Sequence, residues 1–158
     1  MDYHSSIIEL IIYILSRGEN YLDLIDSGNA YDKILRNYHQ FNIQGKKVYR
    51  NLALMKVHYR FTKDAWAHKD KISELHCEHL VPLKIIKDDL RAIIGKKITQ
   101  DKITAILHKT EIVVLTKDQS KKLDLKYKSI MPENGLDRLR SMKFSIEPKT
   151  KNNSIFNK

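Results

Sequence analysis

The densest run of chemically capable side chains is His76-Cys77-Glu78-His79-Leu80-Val81-Pro82. Imidazole and thiolate both suit zinc. Neighbours in an extended strand point to opposite faces, however, so Cys77 cannot join both histidines on one ion. Cys77 is the only cysteine, and no second Cys/His pair completes a tetrahedral set. A Cys/His nucleophilic pair needs two side chains that meet in space, which adjacency in sequence does not provide. Glu78 and His79 offer a third chemistry. A carboxylate is a hard oxygen ligand for magnesium, and an imidazole that titrates near neutrality can take a proton from water. Phosphodiester hydrolysis uses both, a cation against the developing charge and a base for the nucleophile.

Such a couplet needs a short strand to hold it and a second element to return a further ligand. Ile72 to Glu78 is short enough for that strand, and Pro82 ends it. Ile112-Val113-Val114-Leu115 is β-branched and predicts a second strand. Thr116 follows at once with Gln119 three residues on, the spacing of a capping box, so a short helix over 117–124 should spring directly from the strand. Between the strands, Lys84 to Ile94 reads as a helix stopped by Gly95, and Thr99 caps another through Leu107.

Upstream, Ser6 and Glu9 have capping-box spacing ahead of an apolar helix that Arg17-Gly18 ends. Its apolar residues cover most of its circumference, so it should be buried in a core or against a second copy, which is compatible with a homodimer. Residues 21–27 predict a second helix and Asn29 the cap of a third. Residues 44–68 predict one long helix, with Val48, Leu52, Met55 and Tyr59 on its buried side and Lys46, Lys47, Arg50, Lys56, Arg60 and Lys63 over much of the rest. The tail from Ile130 has little periodicity, and Lys149 to Lys158 is expected to fray. The fold class expected is α+β, rich in helix.

Charge separates the parts. The 158 residues hold 29 Lys and Arg against 19 Asp and Glu, a net of +10. Residues 1–32 carry −5 and residues 33–158 carry +15. A body this basic suits a polyanion, and nucleic acid is the commonest one. The lone cysteine excludes an internal disulfide and fits a reducing cytosol. Ile7 to Leu15 is interrupted by Glu9 and falls short of the ~20 residues that span a bilayer. The N-terminus lacks the basic opening of a secretory signal, so a cytoplasmic protein with no membrane contact is expected. There is no Gly-rich phosphate loop and no dinucleotide fingerprint. His4, His39, His58, His68 and His108 read as surface or internally satisfied histidines, and Trp66 and its neighbouring tyrosines as packing.

Glu78-His79-Leu80-Val81-Pro82, then Lys87-Asp88-Asp89-Leu90, then Val114-Leu115-Thr116-Lys117 resemble the HNH, or ββα-metal, nuclease family. They are similar to the HNH domain of RNA-guided CRISPR nucleases and to small HNH-type restriction endonucleases. The resemblance covers about residues 72–125. It implies that Glu78 binds a divalent metal, Mg2+ or Mn2+, and that His79 is the catalytic general base of a DNA endonuclease. The family usually has His or Asn on the helix after the second strand; Ser120 stands there, and Asp124, four residues on, could supply the carboxylate instead. Lys117, Lys121 and Lys122 would hold the DNA backbone. The expected organisation is a helical N-terminal subdomain over 1–70, to which the resemblance does not extend, a ββα-metal-like module over 71–131 with a helical insertion at 83–110, and a partly flexible extension over 132–158. Small enzymes of this type often act in restriction or phage defence, often as homodimers. Serine in the third-ligand slot also fits a catalytically degenerate nucleic-acid-binding relative, and the basic surface alone fits an interaction or inhibitor protein with an acidic partner.

Overall fold

The computed structural model describes residues 2–127 and 135–147. Along the chain lie α1 (Tyr3–Ser16), α2 (Glu19–Ser27), α3 (Ala30–Gln40), α4 (Leu52–His58), β1 (Arg60–Phe61), α5 (Lys63–Ala67), a 3-10 turn (Ile72–Glu74), β2 (Leu75–His79), α6 (Leu83–Arg91), α7 (Gln100–Leu107), β3 (Ile112–Thr116), α8 (Lys117–Tyr127) and α9 (Gly135–Ser141). The fold is α+β and rich in helix, as expected.

These elements pack as two units whose limits do not follow chain order: residues 1–46 with 82–110, and residues 47–81 with 111–158. The expected blocks 1–70, 71–131 and 132–158 are therefore cut differently. The insertion between the strands belongs with the N-terminal helices, because Ile86, Leu90, Ile103 and Leu107 bury themselves in the same unit as Ile11, Leu15, Tyr31 and Leu35.

In the first unit, α1 packs on α7, α2 on α3 and α6 on α7. The apolar stripe of α1 is satisfied within this core, where Ile11, Ile14 and Leu15 are almost fully buried. Its cap is Asp2, whose carboxylate accepts from the Ser5 amide, rather than Ser6. Gly18, at φ +88°, makes the turn into α2 in a region of backbone space that other residues avoid. Lys87 of α6 reaches Asp26 at 3.1 Å and Asp32 at 2.9 Å. His39 is wholly buried, with Nδ1 3.1 Å from the Leu35 carbonyl and Nε2 3.0 Å from that of Leu107.

The second unit is built on a three-stranded sheet of order β1-β3-β2, with β1 parallel and β2 antiparallel to β3. The β-branched run supplies the central strand, whose first four side chains are all buried. Ile112 and Val114 face a cluster with Val48, Met55, Tyr59 and Phe61. Val113 and Leu115 face another, with Leu80, Leu123 of α8 and Leu139 of α9. The long helix expected over 44–68 is broken in two. Asn51 caps α4 through the Leu54 amide, Thr62 caps α5 through the Ala65 amide, and Arg60-Phe61 between them pairs with Val113-Val114. The spacing of Val48, Met55 and Tyr59 does mark a buried side, but pairing with the central strand overrides helical continuity. The strand expected from Ile72 begins at Leu75, after a 3-10 turn.

Candidate functional site

Strand β2 carries the couplet singled out by sequence, and its alternation separates the two residues. Glu78 pairs with Val113 and His79 with Ile112. Glu78 therefore shares the face of His76, Val113 and Leu115, under α8 and α9. His79 shares the face of Leu75 and Cys77 and is only 8% exposed. The acid and the imidazole thus sit on opposite sides of the sheet.

The Glu78 carboxylate has a basic side chain beside each oxygen. Arg138 of α9 donates from Nη2 to Oε1 at 3.1 Å, and His76 Nε2 lies 3.4 Å from Oε2. Arg138 donates also to the His79 carbonyl at 3.2 Å, which fixes the end of β2. Burial opposes ionisation of Glu78, but His76 and Arg138 outweigh it and hold the carboxyl below its usual range. Sequence reasoning missed Arg138. It lies on a helix of seven residues in a tail with too short a period to read. Tyr127 and Ser141 join their hydroxyls and tie α9 to α8.

The return helix α8 starts as its capping box predicts. The Gln119 amide donates to Thr116 Oγ1 at 3.2 Å, and the Thr116 amide donates to Gln119 Oε1 at 3.1 Å. Gln119 does more than cap. It is buried, its Oε1 accepts from the Thr62 hydroxyl at 2.7 Å, and its Nε2 donates to Asp64 at 2.8 Å. One side chain thereby joins α5 and its cap to β3 and α8. Ser120 is buried, whereas Asp124, Lys117, Lys121 and Lys122 are exposed. The i,i+4 spacing of Ser120 and Asp124 therefore does not give them a common environment.

Two clefts adjoin at the start of α8, and both are lined by Lys117 and Ser73. One, of about 470 Å³, mixes charges: Asp64, Glu74 and Asp118 with His68, Lys117 and Lys122. The other, of about 450 Å³, holds Arg50, Lys117 and His76 with Tyr49 and, among the described residues, no carboxylate. The Arg50 guanidinium stacks 5.5 Å from the centre of the Tyr49 ring. Arg50 also has φ +61°, a conformation that bulky residues seldom keep without support. Cys77 lines this cleft as a half-buried thiol, and burial pushes its pKa up to about 12 against the opposing pull of Arg50.

The donor set does not match the divalent ion implied by the resemblance. Glu78 is already paired on both oxygens, Ser120 offers a hydroxyl, and His79 faces the other side of the sheet. Among the described residues, no three His, Cys, Asp or Glu side chains converge as metal ligands. Among them also, no helix is long and apolar enough to cross a membrane. The chain matches no family model, no curated protein and no solved structure.

Proposed function

We propose that this chain binds nucleic acid, and DNA in particular, through its sugar-phosphate backbone, using the second unit. The observation that carries the reading is the cleft beside α8. Arg50 and Lys117 line it with His76 and, among the described residues, no carboxylate, and Tyr49 offers a ring for base or sugar contact. The charge of the units agrees. The second holds 18 Lys and Arg against 10 Asp and Glu, a net of +8, while the first holds 11 against 9. Lys121 and Lys122 extend the basic surface along the exposed side of α8. Phosphate contacts of this kind position a duplex without reading its sequence. The test is fluorescence anisotropy with labelled single-stranded and duplex DNA. Arg50→Ala and Lys117→Ala should weaken binding, and Lys84→Ala, on an exposed site of the first unit, should not. Equal affinity for all three variants would remove the cleft from the interface.

The second reading is an HNH-type DNA endonuclease acting in restriction or phage defence. It is favoured by the order of elements, with β2 antiparallel to β3 and β3 running straight into α8. Hydrolysis would need His79 brought to the side of Glu78, which the present arrangement does not do. A plasmid-nicking assay with magnesium or manganese, comparing wild type with His79→Ala, separates the two readings. Nicking that is lost in the variant while DNA binding persists would favour the nuclease.

A further inference from the structure

We infer that Arg138 is the resident cation of the Glu78 carboxylate, standing where a ββα-metal site would hold a divalent ion. Its guanidinium donates to the end of β2, to Glu78 at 3.1 Å and to the His79 carbonyl at 3.2 Å. Its side chain is only 5% exposed, and its Nε is buried without an acceptor. A guanidinium does not lose its proton in a protein, so this is a permanent positive charge. A buried charge of that kind persists only against a counter-charge, and Glu78 is the carboxylate in contact with it. His76 covers the second oxygen at 3.4 Å. A dication placed on Glu78 would stand against a fixed like charge, so the two exclude one another. The carboxylate keeps the place expected of a ligand but serves to anchor α9 to β2.

The inference is independent of DNA binding and is tested by metal binding. Manganese is titrated into the full chain and free Mn2+ is followed by electron paramagnetic resonance. Wild type should show no saturable site below millimolar manganese, and Glu78→Gln should change nothing. Arg138→Gln removes the resident charge and leaves Glu78 with His76 as a donor pair. That variant should gain a saturable site, which the double variant with Glu78→Gln should lose. One saturable site in wild type, lost in Glu78→Gln, would overturn the inference. So would the absence of a gained site in Arg138→Gln with wild-type circular dichroism. Where Arg138→Gln does not fold, the wild-type titration decides alone.

Discussion

The Arg138 guanidinium lies 3.1 Å from the Glu78 carboxylate, with a twentieth of the arginine side chain and about a fifth of the glutamate exposed. A pair this enclosed is worth little as a surplus over apolar packing, yet breaking it leaves one charge stranded. It joins the last described helix to the edge strand that carries both residues first suspected of catalysis.

Arg138→Ala should therefore lower unfolding free energy by about 3 kcal/mol, the low end for a broken buried pair because Glu78 keeps some solvent contact. Urea denaturation measures it. The double variant with Glu78→Ala should lose less than the two single losses added together. Strict additivity would show that the two charges do not interact.

Gln119→Ala removes the acceptor of the buried Thr62 hydroxyl and the donor to the exposed Asp64 carboxylate. A loss of about 1–2 kcal/mol is expected, since the buried Thr62 hydroxyl loses its acceptor while Asp64 can turn to solvent. Gln119→Glu sets a carboxylate against Asp64 and should destabilise more at neutral pH, with partial recovery on acidification. No pH dependence of that difference would contradict the geometry.

Much of this was legible. The Thr116–Gln119 box and the Thr99 cap read directly because both are local chemistry, a side chain on an amide three residues away. The β-branched run at Ile112 was equally plain. Arg60-Phe61 was not, since a two-residue strand has no alternation and exists only through pairing with β3. The partnership of Glu78 with Arg138 spans sixty residues and follows no periodicity. Spacing alone brought Glu78 and His79 together, and it is strand alternation that parts them. A flat reading of the couplet overlooks that neighbours on a strand face opposite ways.

Stability should fall in mild acid through His39. Burial depresses its folded pKa to about 4, against partial compensation by the Leu107 and Leu35 carbonyls, from an ordinary value of 6.5. The neutral ring is favoured in the fold, so its contribution is intact above pH 6.5 and is lost as pH falls toward 4, about 3 kcal/mol in all. Glu78, whose carboxyl is held low, adds a loss only below its ordinary value of 4.5. Denaturation from pH 7 to 5 should show the decline in wild type and not in His39→Gln. Parallel curves would contradict it.

Cys77 should resist thiol reagents at neutral pH, because a pKa near 12 leaves almost no thiolate. Labelling of the native chain should be far slower than labelling in urea. Equal rates would show that the thiol is exposed and ionised.

The most direct measurement is the affinity of wild type for duplex DNA across a range of salt concentrations. Backbone binding through the second unit requires the logarithm of affinity to fall linearly with the logarithm of salt, by about 0.9 for each phosphate engaged. Lys117→Ala and Arg50→Ala should each reduce that slope by about one. No binding at low salt, or binding indifferent to salt, would contradict a phosphate-contacting surface.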